Sequence, residues 1–129
     1  MAVRLLAGAL SLNRIAFGLA YLIAPARFGR SWVGRVARHP AAQVFTRGHG
    51  ARDVALGVGA LVPLIRGDER SARPWMAGQA LADGSDVAAT LAAGKRLPRG
   101  GARFALMVAG VSTAVGAGAA AALGRRRMS

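Results

Sequence analysis

Four stretches rich in Ala, Gly, Leu and Val, at 5–24, 46–65, 75–93 and 104–123, divide this chain, and three of them carry charge well inside their length. The charges are Arg14, Arg52, Asp53, Asp83 and Asp86. Each stretch has the roughly 20 residues an α-helix needs to cross a hydrocarbon core of about 30 Å. An Arg or Asp at the centre of such a helix costs about 2.5–3.5 kcal/mol on insertion scales. It persists where it pairs inside a bundle or faces a wet cavity. Length and charge together therefore point to helices that are apolar outside and enclose a polar interior.

Composition supports this. The chain is 53% hydrophobic but only 5% aromatic, so Ala and Gly carry much of its apolar content, as closely packed helices in a membrane require. A soluble Ala-rich bundle accounts less well for 104–123, which holds no charge. A cleaved signal peptide at 5–24 is opposed by Arg14, which interrupts its apolar run. Without Cys there is no disulfide, thiol nucleophile or Cys-zinc site.

The net charge of +13 comes from 18 Lys+Arg against 5 Asp+Glu. Most basic residues lie between the apolar stretches or in Arg125, Arg126 and Arg127. That placement suits anionic lipid head groups, worth about 1 kcal/mol per residue near the surface. Base-stacking aromatics are not interleaved with the arginines, so nucleic acid is not expected as a partner. Residues 25–45 set Arg27, Arg30, Arg35 and Arg38 among Phe28, Trp32, Val33 and Val36, which reads as an interfacial amphipathic segment that Pro40 ends. Trp32 and Trp75 read as anchors at the membrane–water boundary. The basic residues divide almost evenly between the two ends of a four-span arrangement, so charge does not orient it.

The polar residues repeat at helical spacing. Gln79, Asp83, Asp86 and Thr90 follow steps of four, three and four. Ser11, Arg14, Gly18 and Tyr21 follow three, four and three, and Thr46, His49, Asp53 and Gly57 follow three, four and four. Each set makes one stripe on one helix. Arg14, Asp53, Asp83 and Asp86 lie at similar depth, so the stripes are expected to meet in one layer. Pairs of Arg14 with Asp83 or Asp86, and of Arg52 or His49 with Asp53, would lock the helices in register. Asp83 and Asp86 are expected to couple, with one of them neutral at pH 7.

Gly110, Ala114 and Gly118 stand four apart and offer a small-residue face, either for packing within the chain or for a homodimer. Gly57, Gly59 and Pro63 mark a kink or a close helix crossing. With only His39 and His49 as histidines, and arginines beside the aspartates, no metal is expected. No cofactor-binding fingerprint is present.

The run Thr46-Arg47-Gly48-His49-Gly50-Ala51-Arg52-Asp53-Val54-Ala55-Leu56-Gly57 resembles a Gly-Ala-Arg-Asp-x-Ala-Leu-Gly signature. The run from Ala82 to Thr90 resembles its acidic companion, and Asn13-Arg14-Ile15-Ala16-Phe17-Gly18 the first helix of the same group. Together they are similar to a family of small four-helix integral membrane proteins of unknown function, common in high-GC bacteria and loosely DoxX-like. The resemblance implies a membrane fold and importance for Arg14, Arg52, Asp53, Asp83 and Asp86. It implies no mechanism.

The expected fold is all-α: one integral membrane domain over 1–129, a four-transmembrane-helix bundle with a basic interfacial segment between the first two spans, in the inner membrane. The expected site is the polar network of Arg14, His49, Arg52, Asp53, Gln79, Asp83 and Asp86. The favoured role is a non-catalytic structural or partner-binding module, for which a charge swap of Arg14 and Asp83 should restore folding. Two alternatives stand beside it: a binder or enzyme for a membrane-soluble lipid, isoprenoid or quinone, and a proton-coupled small transporter.

Overall fold

A computed structural model describes residues 1–125; Arg126 and Arg127 of the C-terminal basic cluster lie outside the described residues. The chain is all-helical over them. Helix α1 covers Ala2–Ile23, α2 Pro25–Phe28, α3 Arg30–Val33, α4 Pro40–Ile65, α5 Glu69–Ala93 and α6 Arg99–Arg125, with 3-10 turns at Gly34–Arg38 and Gly94–Arg96.

The four long helices exceed the four apolar stretches, for local reasons. Pro25 disfavours a helical Ala24, which adopts φ −134°, and α1 stops there. Pro40 does more than end the basic segment. It occupies the first turn of α4, where its missing N–H costs nothing, and the His39 side chain accepts from the Ala41 amide. Six residues assigned to a connection thus become helix. Asp68 likewise caps α5 by accepting from the Ser71 amide at 3.0 Å, so Glu69–Pro74 is helical and only a short turn links α4 to α5. Those hydrogen bonds from Ser71 hold the Asp68 carboxyl below its ordinary range. That turn uses Gly67 at φ 79°, a conformation that glycine adopts without strain.

The long helices run up and down in the order α1, α4, α5, α6 around the bundle. Helices α1 and α4 touch backbone to backbone. A Cβ on Gly18 would lie 2.7 Å from the Gly50 carbonyl oxygen, and one on Gly57 would lie 2.8 Å from that of Ser11. The close crossing foreseen at Gly57 is real. On the other side, Gly116 of α6 packs against Ala80 of α5. The apolar core lies at the end holding the termini: Ala7, Ala60, Leu64, Ala72, Met76, Ala119, Ala120 and Leu123. The seam between α1 and α6 is the loosest of the four.

The outward faces are apolar. Exposed large residues include Leu5, Leu12, Leu19, Val58, Val62, Leu81, Leu91, Met107 and Val111. Over the apolar stretches Arg14, Arg52, Asp53, Asp83 and Asp86 are buried or half-buried, and Arg47, at the start of the second stretch, is the one exposed ionisable side chain among the described residues. Gly110, Ala114 and Gly118 also face outward. A Cβ at either glycine would meet nothing within 4 Å, so this face does not pack within the chain. Two helices, α1 and α6, are long and apolar enough to cross a membrane.

Candidate functional site

The stripes meet. Ser11, Arg14, Gly18 and Tyr21 are the buried face of α1, Asp53 and Gly57 belong to that of α4, and Gln79, Asp83 and Thr90 to that of α5. Helical spacing turns these side chains inward, and the glycine contact between α1 and α4 brings Arg14 within reach of Asp53.

Arg14, 6% exposed, bridges two helices. Its Nη1 donates to Asp53 Oδ1 at 2.8 Å and its Nη2 donates to Asp83. Arg52 forms a second bridge. It donates to both Asp86 oxygens, at 2.8 and 3.2 Å, and to Asp53 Oδ1 at 3.2–3.3 Å. The fork on Asp86 is the geometry in which guanidinium and carboxylate pair best. Asp53 therefore sits between two guanidiniums, which the pairing expected for it did not include. Asp83 pairs with Arg14, and Asp86 with Arg52.

His49 completes the layer. Its Nε2 lies 3.5 Å from Asp53 Oδ2 and 3.9 Å from Asp86 Oδ2. Both ring nitrogens lie 3.2–3.3 Å from Arg52 Nη2. Tyr21 and Trp32 each meet the imidazole edge-on, with centroids 5.3 Å away. The layer thus comprises two guanidiniums, three carboxyl groups and one imidazole.

Gln79 is set apart from the charges. It donates to Ser11 Oγ at 3.2 Å and to the Leu56 carbonyl at 3.1 Å, and Ser11 Oγ donates to the Ala7 carbonyl. This uncharged tier ties α1, α4 and α5 together on the side of the apolar core. Toward the opposite end, the Trp32 indole donates to Thr90 Oγ1 at 3.1 Å, and Thr90 donates to the Asp86 carbonyl. Trp32 is thus a half-buried wall of the site. The carbonyl of Trp32 lies so close to Gly101 of α6 that no Cβ fits there. The segment read as lying on the membrane surface folds over one end of the bundle, while Arg27, Arg30, Arg35 and Arg38 remain exposed.

The charged layer borders a cavity of about 80 Å³ between α1 and α6. Its polar wall includes Arg14, His49, Asp53, Asp83 and Asp86; its apolar wall includes Phe17, Tyr21, Trp32, Phe104 and Val108. Such a volume holds several waters or a small polar head. Phe17 and Phe104 are 39% and 41% exposed, so the apolar wall reaches the outer surface along the loose seam.

Sequence reasoning found the charged residues and His49 but missed Phe17, Trp32 and Phe104. Phe17 stands three residues from Arg14 and four from Tyr21, and Phe104, Val108 and Ser112 stand four apart, so helical spacing marks both sets. Nothing in 25–45 marks Trp32, because a fold-back of irregular turns places it. No group of three or more His, Asp or Glu among the described residues is arranged to hold a metal ion. Comparison with family models, with curated proteins and with solved structures gives no match.

Proposed function

We propose that the four long helices cross the inner membrane, and that the cavity between α1 and α6 binds the polar head of a membrane-soluble amphiphile such as a lipid, isoprenoid or quinone. Helices α4 and α5, of 26 and 25 residues, extend about 38 Å at 1.5 Å per residue, enough for a core of about 30 Å. Their average hydropathy is lowered by Arg52, Asp53, Asp83 and Asp86, which lie in the interior layer. An average around the helix cannot register that direction. Only 22% of the apolar window of α1 and 28% of that of α6 is buried, whereas the core helix of a soluble protein is mostly buried. The apolar exterior is what lipid accepts. The likeness to four-helix membrane proteins of unknown function belongs to this same proposal.

One observation carries the binding role: a charged layer and an aromatic wall share a single cavity, and that wall reaches the apolar surface. Ligand sites combine an apolar lining with a few convergent polar groups in this way. A tail would leave between Phe17 and Phe104 into lipid. A second reading, in which the network only fixes assembly, is favoured by the pairing of both guanidiniums with carboxylates. Native mass spectrometry of detergent-purified protein, with lipid extraction, separates the two. The binding role predicts a bound amphiphile near one per chain that is lost in Asp83→Asn. A bare mass from mild detergent and from native lipid particles alike would refute it in favour of the assembly role.

A further inference from the structure

The segment between α1 and α4 gathers arginines that the sequence spaces apart. Arg27 belongs to α2, Arg30 to α3 and Arg38 to the 3-10 turn that follows. Gly34, at φ 70°, turns the chain between α3 and that 3-10 turn, in a conformation glycine adopts without strain. Ala37 is fully buried, and a Cβ on Gly29 would lie 3.3 Å from that of Ala37. This contact brings Arg38 near Arg30, since each directly follows one of the two touching residues. The Arg38 carbonyl is fixed as well, accepting from Gln43 Nε2 at 3.1 Å. As a result Arg27, Arg30 and Arg38, with Ala26, line a concavity of about 450 Å³. The Arg30 and Arg38 guanidiniums make no hydrogen bond or ion pair among the described residues, and that of Arg27 lies over the Phe28 ring, 5.9 Å from its centroid. Carboxyl groups lie elsewhere: Asp53, Asp83 and Asp86 in the interior layer, and Asp68 and Glu69 at the start of α5, at the opposite end of the bundle. Segments 25–38 and 94–103, which share this end, hold four basic residues each and no acidic one.

We infer that this concavity seats the phosphate head of an anionic phospholipid. Three guanidiniums around one space, with no carboxylate beside them, suit a phosphate, whose oxygens accept from their paired N–H groups. The surroundings point to its carrier. Ile23, Phe28 and Val36 stand exposed among these arginines in the chain. An interfacial segment sets such apolar side chains at the acyl boundary and its basic residues at the head groups. A soluble phosphate has no use for the apolar flank. The inference rests on the membrane-spanning reading, and the site is separate from the cavity between α1 and α6. It also differs from the general attraction of a basic surface, because it depends on which arginines are present and not on how many. Arg35 lies in the same segment and is exposed, yet it does not line the concavity.

The test uses the full chain in a nonionic detergent, with binding followed by native mass spectrometry. Phosphatidylglycerol, phosphatidylcholine with the same acyl chains, and inorganic phosphate are titrated in. Two triple variants remove the same charge: Arg27→Gln, Arg30→Gln and Arg38→Gln at the site, and Arg35→Gln, Lys95→Gln and Arg96→Gln beside it. A basic residue near a lipid surface is worth about five-fold in affinity, so phosphatidylglycerol should bind at least about ten-fold tighter than phosphatidylcholine. The site triple should reduce that preference to below about three-fold, and the neighbouring triple should leave it within about two-fold of its original value. Equal losses in the two triples would overturn the site in favour of diffuse attraction. An unaltered chain with no preference for phosphatidylglycerol would overturn it too. So would displacement of that lipid by inorganic phosphate at equal concentration, which would make the occupant a soluble phosphate. Each of these results leaves the membrane spans standing. A chain that stays monodisperse without detergent would overturn the membrane reading and this inference with it. Where the site triple does not fold, Arg30→Gln and Arg35→Gln make the same comparison, with a loss of about five-fold expected of the first alone.

Discussion

Replacing Arg14 by Met removes a charged side chain that joins α1 to both α4 and α5, and the structure sets the size of the loss. Asp83, with its side chain 8% exposed, is left with no cation among the described residues, since its one ion pair there is with Arg14. Asp53 keeps Arg52 at 3.2 Å, so the second carboxylate adds no equal penalty. Orphaning one buried partner costs about 3–5 kcal/mol, against about 0.2–1 for an exposed pair. We therefore expect Arg14→Met to lose about 3–5 kcal/mol, measured by titrating dodecyl sulfate mole fraction in mixed micelles and following far-UV circular dichroism. Adding Asp83→Asn removes the orphaned charge, so the double variant should be more stable than the sum of the two single losses by about 2–3 kcal/mol, the upper range for coupled neighbours. A loss below about 1 kcal/mol for Arg14→Met, or additive losses, would refute the buried bridge. The charge swap that sequence pairing suggests, Arg14→Asp with Asp83→Arg, is not expected to restore stability. It would place a second carboxylate beside Asp53, which the native Arg14 contacts at 2.8 Å.

Gly50→Ala should cost about 1–3 kcal/mol, because its Cβ would lie 2.6 Å from the Gly18 carbonyl oxygen and the helices must part. Gly118→Ala should be neutral or gain up to about 1 kcal/mol, and a loss that grows with protein concentration would show that this face packs on a second copy. Because the chain lacks Cys, single cysteines at Arg66 and Lys95 can be labelled with a membrane-impermeant maleimide in intact cells and inverted vesicles. Four spans put the two positions on opposite sides; labelling from the same side would leave only α1 and α6 crossing. At acidic pH, the cap on α5 should weaken. The folded-state value of Asp68 is depressed, so its contribution is present above the unfolded value of about 3.9 and is lost as pH falls through the folded one. Amide exchange at Ser71 should accelerate over that window, and Asp68→Asn should remove the dependence.

Much of the site was legible before any coordinates. Steps of three and four placed Arg14, Asp53 and Asp83 on inward faces, because a helix is periodic and a charge beside apolar neighbours has one tolerable direction. The helix starts were less legible. Pro40 and Asp68 act as first-turn and capping residues only when the chain beyond them is helical, and in isolation both read as loop. Gly110, Ala114 and Gly118 have the spacing of a packing face, yet Gly116 is the residue that meets α5. Spacing identifies a stripe of small residues but not the neighbour it faces.

The sequence by itself determined that the chain is helical, that its polar residues form stripes, and that those stripes share a depth, since these follow from periodicity within single helices. Partners and space were decided by the tertiary structure. It split Asp83 and Asp86 between two arginines and set Asp53 between both. It folded Trp32 back against His49, and it left the α1–α6 seam loose enough for a cavity. Those outcomes depend on how closely each pair of helices approaches, which the glycine contacts between α1 and α4, and the lack of any such contact between α1 and α6 among the described residues, control.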